Sequence, residues 1–203
     1  MNKYIRIIEC FGGIGATTQA LKNLKVPLEV LDYVEIDKYA VKSYNAMNGF
    51  NFETQDITEW DKEIYGVDAI FHGSPCTDYS LAGKQEGGNN GSGTRSSLMW
   101  ETVRIIKKIK PKFILWENVA NVLSPKHKHN VDKYLSELDL AGSNSSYEVL
   151  NPKDFSIPQN RKRIFCLSIR KDIDVGFTFP EKQELKLRLK DMLEDKVDDK
   201  FYL

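Results

Sequence analysis

What most constrains the fold of this chain is an alternation that runs through most of its 203 residues. Short apolar runs rich in Ile, Val and Phe (YIRIIEC, LEVLDYVEI, VDAIFHG, KFILWEN, YEVLN and RIFCLSI) are separated by amphipathic stretches. These lie at Gly15 to Leu24, Lys38 to Met47, Ser97 to Ile109 and Asn130 to Leu140. Strand and helix in alternation, joined by short connections, predict an α/β domain with a largely parallel sheet flanked by helices. In such sheets ligands sit beyond the carboxyl ends of the strands, which directs attention to the loops there. From Asp172 onward the pattern breaks into a highly charged segment with a short helical period from Leu185 to Leu193. We therefore expect one domain over residues 1–171 and a charged tail, carrying a surface helix, over residues 172–203.

Acidic and basic residues balance at 29 each. Net charge thus gives no reason to expect a polyanion partner, although a basic patch on one face is compatible with neutrality. No apolar run approaches the roughly 18 residues of a membrane span, and MNKYIRIIEC does not read as a signal peptide. The three cysteines are widely spaced and odd in number, which predicts a reducing, cytoplasmic setting. Cys10 and Cys166 end or interrupt apolar runs and read as buried structural thiols. Cys76 differs: it stands in GSPCTDYS, a polar turn at the end of a predicted strand.

The first strand runs into CFGGIGATTQAL, where Gly12, Gly13 and Gly15 allow close approach of a ligand to the backbone at a helix N-terminus. A glycine-rich turn alone is weak evidence. The second strand adds Glu35, about twenty residues on, where a carboxylate can accept both ribose hydroxyls. Asp56 in QDITEW then offers a carboxylate for an adenine amino group, with Ile57 against the ring face. The G-x-G-x-x-G spacing that cradles a pyrophosphate is incomplete, so a nucleoside without phosphates fits better, and S-adenosylmethionine is the natural candidate.

The ordered set FGGIGA, VEID, QDI, GSPCTDYS, RSSLMWETVRII, ENV and QNRKRIF resembles the catalytic domain of cytosine-5 DNA methyltransferases, from about Arg6 to about Ile169. The resemblance implies the Rossmann-like fold of S-adenosylmethionine-dependent methyltransferases. It implies a cofactor site of Phe11, Gly13, Ile14, Gly15, Glu35, Ile36, Asp56, Ile57, Pro75 and Leu98. It also implies double-stranded DNA as partner and a prokaryotic or phage setting. Cys76 would add to cytosine C6, Glu117 would hold N3, and Arg161 and Arg163 would steady the pocket. Reaching a stacked base requires flipping it out, and the segment Leu81 to Arg95, with its five glycines, would serve as the lid.

Three departures qualify the match. Thr77 follows the cysteine where the family usually has Gln, and Ser156 stands where glycine is usual. Only about 34 residues follow Ile169, too few for an independently stable target-recognition domain. The tail could thus be the start of a truncated recognition region, and the chain one piece of a split enzyme, a truncated one, or a remnant needing a second polypeptide. A tRNA cytosine-5 methyltransferase and a non-catalytic binding module stay open as alternatives; an unrelated nucleotide-binding oxidoreductase would leave PC, ENV and QNRKR without roles. His72 reads as a satisfied strand-end histidine, HKH at His127 to His129 as a surface turn without a metal, and KKIKPK as a solvated basic face.

Overall fold

The computed structural model describes residues 4–80 and 85–201. Six strands form one sheet: β1 (Ile5–Cys10), β2 (Leu28–Val34), β3 (Ala69–His72), β4 (Phe113–Val119), β5 (Ser143–Leu150) and β6 (Arg163–Arg170), in the order β2-β1-β3-β4-β6-β5. The first four are mutually parallel, as the alternation predicts. The sheet as a whole is mixed, because β6 inserts between β4 and β5 and runs antiparallel to both. The β5–β6 connection explains the reversal: it holds only a 3₁₀ turn (Pro152–Phe155), not the helix that a parallel crossover needs.

Among the described residues four α-helices complete the domain: α1 (Ala16–Asn23), α2 (Lys38–Asn48), α3 (Met99–Ile109) and α4 (Lys128–Leu140). One sheet face carries Ile8, Cys10, Ile70, Ile114, Trp116, Ile164 and Cys166, all buried in the main core together with Met99, Val103 and Ile106 of α3 and Val131, Tyr134 and Leu138 of α4. The spacing of those helical residues is that of one apolar stripe laid on the sheet. α2 begins at Asp37, whose carboxylate accepts from the Tyr39 and Ala40 amides, and ends at Gly49 in the left-handed conformation. On the opposite sheet face, Tyr33, Val41 and Tyr44 make a smaller core beside β1 and β2.

Register aligns the strand ends. Cys10 pairs with His72 and His72 with Trp116, while Glu117 lies opposite Phe165 and Val119 opposite Arg163. The loops after β1, β3 and β4 and the segment entering β6 therefore meet on one rim.

The tail departs from expectation. Residues 180–200 are exposed throughout, and the predicted helix over Leu185 to Leu193 is only a 3₁₀ turn at Leu189–Met192. An isolated helix of that length is marginal in water, and this one has no apolar face buried against the domain. The tail is nonetheless tied to the domain: the Asn144 side-chain amide donates to the Asp174 carboxylate (2.7 Å), the Gln183 amide to the Asp154 carbonyl (2.7 Å) and the Ser156 hydroxyl to the Glu184 carbonyl (2.8 Å). Ser156 itself has φ +62°, the conformation glycine favours, which accounts for the family's usual residue there.

Candidate active site

The glycine loop leaves β1 through Phe11, whose amide donates to the Val34 carbonyl (2.8 Å), and turns at Gly13 (φ +55°) and Gly15 (φ +90°). The Glu35 carboxylate faces it, accepting the Gly13 amide at 3.1 Å and the Ile36 and Asp37 amides at 2.9 Å. Ile14 and Ile36 stand out of the surface on either side, 58 % and 66 % exposed. Asp56 is exposed, and the Thr58 hydroxyl and amide donating to it hold its carboxyl below the ordinary range. Ile57 is placed differently: its side chain is in the main core and its carbonyl accepts from Arg104 (2.9 Å). It anchors the segment, so the apolar surface available beside Glu35 is that of Ile14 and Ile36. An amide-lined turn, a carboxylate and flanking exposed aliphatics are a donor set that fits a nucleoside cofactor: Glu35 would hold the ribose and Gly13 the backbone approach.

The Pro-Cys turn is rigidly held. Buried Ser74 receives the Trp116 indole N–H (3.2 Å) on its hydroxyl and the Asn118 side-chain amide (3.1 Å) on its carbonyl. Asp78 and Ser96 exchange bonds, amide to hydroxyl at 3.1 Å and amide to carboxylate at 2.9 Å, and Asn121 donates to the Tyr79 carbonyl (2.6 Å). Between these fixed points Pro75 and Cys76 are half-buried, and Cys76 is a free thiol. Cys10 and Cys166 are buried, and burial pushes both thiols up, Cys166 to about 12. Leu98, at the end of a 3₁₀ turn (Arg95–Leu98), is half-buried against the core.

Glu117 and the arginines form the third part. Arg163 Nε lies 3.1 Å from Glu117 Oε1. Burial pushes the Glu117 carboxyl up, and the charges of Arg163 and Arg161 pull it back without cancelling the rise. Arg161 is placed by its amide, which donates to the Asn151 side chain (3.0 Å). A cavity of about 480 Å³ opens here, lined by Phe11, Gly12, Phe71, Gly73, Glu117, Arg161 and Phe165 among others. It joins the glycine loop to Glu117, while Cys76, Glu35 and Asp56 lie outside its lining.

Of the segment expected to serve as a lid, residues 81–84 lie outside the described residues. Its remainder is tied down: the Gly87 amide donates to the Asp78 carbonyl (2.9 Å), Thr94 to the Gly87 carbonyl (2.8 Å) and Trp100 to the Gly88 carbonyl (2.7 Å). The HKH turn needs correction, because His127 is buried, edge-on to Tyr79 with ring centroids 5.2 Å apart, while Lys128 and His129 lie at the surface. An imidazole ring is apolar enough on its faces to fill that gap. Three of the four lysines of KKIKPK are ion-paired, Lys107 with Glu137, Lys108 with Asp61 and Glu63, and Lys112 with Asp68. Sequence reasoning missed Ser74 and the role of Asn118; the available signal was a polar Asn closing an apolar strand.

The profile of the C-5 cytosine-specific DNA methylases matches residues 5–203. The chain belongs to that family. It is 42 % identical over 188 residues to the type II methyltransferase M2.ScrFI of Lactococcus lactis subsp. cremoris, covering 90 % of this chain and 52 % of that protein. It is 35 % identical to the type II methyltransferase M.SsoII of Shigella sonnei, covering 100 % of this chain and 53 % of that one. Among solved structures, a DNA modification methyltransferase encoded within an E. coli prophage superposes with TM-score 0.77 at 21 % identity, over 96 % of this chain and 56 % of the other. Dnmt2 methyltransferase of S. pombe gives 0.73 at 20 %, over 97 % and 61 %. The fold is thus that of these methyltransferases, and the chain spans about half the length of the curated relatives it matches. Among the described residues no helix is long and apolar enough to cross a membrane.

Proposed function

We propose that this family member methylates C5 of cytosine in double-stranded DNA through a covalent bond to Cys76. The observation that carries the reading is a free, half-buried thiol on an immobilised turn, sharing a rim with a carboxyl that burial keeps raised between two arginines. Cytosine C5 is a weak nucleophile, so the Cys76 thiolate adds to C6 and electron density moves to C5. Glu117, protonated more readily than an ordinary carboxylic acid, donates to N3 and stabilises the adduct. Arg163 and Arg161 fix Glu117 and the base carbonyl through their planar forks. S-adenosylmethionine, when bound at the glycine loop and Glu35, supplies an electrophilic methyl group. A base then takes the C5 proton and the Cys76 sulfur leaves. The target nucleotide must be out of the stack for Cys76 to reach it.

We propose further that the polypeptide corresponding to the remainder of the relatives, in the same or a second chain, is needed to engage DNA. Supporting this, the chain matches about half of each relative, and Phe71, Leu115 and Phe165 along the cavity are only half-buried. The test is transfer of labelled methyl from S-adenosylmethionine, offered duplex DNA and tRNA side by side, with and without that polypeptide and with Cys76→Ser as control. Label in DNA that needs the added polypeptide and is lost in the variant is the expected result. Label in tRNA alone would move the substrate to RNA, and label in DNA from this chain alone would remove the requirement.

A further inference from the structure

Gly15 opens α1 without a side chain to cap it, and the cap comes from elsewhere. Glu9, 1 % exposed inside β1, accepts the Thr18 amide at 3.1 Å and the Thr18 hydroxyl at 2.6 Å. The Tyr44 hydroxyl donates to the same carboxylate at 2.7 Å and lies 2.9 Å from the Thr18 hydroxyl. Among the described residues Glu9 has no ion-pair partner. A carboxylate buried on neutral donors alone is costly, and the helix N-terminus offsets only part of that cost. Through these bonds Glu9 fixes the first turn of α1 and the Tyr44 ring together.

The glycine loop depends on this arrangement. The Tyr44 ring stacks on Tyr33 with centroids 3.9 Å apart and planes 5° from parallel. The Tyr33 hydroxyl donates to the Gly13 carbonyl, while the Gly13 amide is taken by Glu35. The two rings also form the wall behind the loop: a Cβ at Gly12 would sit 2.7 Å from Tyr33, and one at Gly15 2.5 Å from Tyr44.

We infer that Tyr33 is a positioning residue for the cofactor, holding Gly13 in its bound geometry from a stack that Tyr44 and Glu9 keep in place. Gly13 is clamped at both ends, by a tyrosine on its carbonyl and by Glu35 on its amide. When ribose hydroxyls share the Glu35 carboxylate, the tyrosine contact is the one that continues to hold the turn. The inference rests on the reading of this loop and Glu35 as the cofactor site.

The test is calorimetric titration of the purified chain with S-adenosylmethionine, for the parent, Tyr33→Phe and Glu35→Gln. Amide hydrogen exchange around Gly13 is measured alongside. Tyr33→Phe keeps the ring and the stack and removes one oxygen. It is expected to bind about 5- to 10-fold more weakly, the worth of one ordering hydrogen bond. Exchange around Gly13 is expected to speed up while that of the α3 and α4 amides stays as in the parent, a local change that a merely structural role would not produce. Parent-like affinity in Tyr33→Phe, with Glu35→Gln weakened, would overturn the role of Tyr33 and leave the site standing. A folded parent that binds no cofactor would overturn the site itself, and the inference with it.

Discussion

Substituting Ala at Gly13 and at Gly15 separates two costs that glycine-rich loops usually confound. Both residues have positive φ, +55° and +90°, so each alanine carries a conformational penalty of about 1–2 kcal/mol. At Gly13 nothing lies within 4 Å of the new Cβ, and that penalty is the whole effect. At Gly15 the Cβ would stand 2.5 Å from two carbons of Tyr44. That ring cannot retreat, because it is fully buried, stacked on Tyr33 and bonded to Glu9. Overpacking of this kind adds about 1–3 kcal/mol. Gly15→Ala should therefore destabilise by about 2–5 kcal/mol and Gly13→Ala by about 1–2 kcal/mol. Urea unfolding followed by tryptophan fluorescence measures both. Equal losses in the two variants, or a Gly15→Ala protein as stable as the parent, would refute the claim that the tyrosine wall sets the loop.

Three further outcomes are expected. In the native protein a small alkylating reagent should modify Cys76 well ahead of Cys10 and Cys166, as peptide mapping would reveal; prior labelling of either buried thiol would contradict the assigned burial. His72 is buried and held down to about 3, against an ordinary 6.5, so the unfolded chain binds a proton there that the folded chain refuses. Stability should accordingly fall as pH drops from 8 to 5, by about 2 kcal/mol for this group; His127, also lowered by burial, adds to the same slope. His72→Gln should flatten most of it in pH-resolved unfolding, and a parent protein equally stable at both pH values would contradict the assignment. In an assembly that methylates DNA, Glu117→Gln should lower kcat about 10²- to 10⁴-fold and remove the high-pH limb that ionisation of a raised carboxyl imposes. An unchanged pH profile would deny Glu117 the proton.

The elements legible in the sequence were those whose local pattern and burial agree. YIRIIEC, VDAIFHG and RIFCLSI are apolar at Ile8, Cys10, Ile70, Ile164 and Cys166, the positions that pack in the core with α3 and α4, and all three appear as strands. The antiparallel entry of β6 was not legible, since direction depends on what the chain between Asn151 and Lys162 does and no local period encodes it. Cys76 could be named because its turn chemistry stands out locally, and Glu117 because ENV resembles a motif of the family. Their supports could not: Ser74, Asn118 and Glu9 act across the sheet, and a buried Glu in a strand looks like any exposed one until its donors on α1 and α2 are in view. The tail misled for the opposite reason, having a helical period but no surface to lay it on.

The covalent role of Cys76 is tested most directly by trapping it. A duplex with 5-fluorocytosine in place of cytosine is incubated with S-adenosylmethionine and the methylating assembly. Fluorine at C5 cannot leave as a proton does, so elimination of the sulfur is blocked after methyl transfer. The account predicts a stable protein–DNA complex whose cross-linked peptide contains Cys76, and none with Cys76→Ser. Methylation of ordinary cytosine by Cys76→Ser at the parent rate, or a cross-link mapped to another residue, would contradict it.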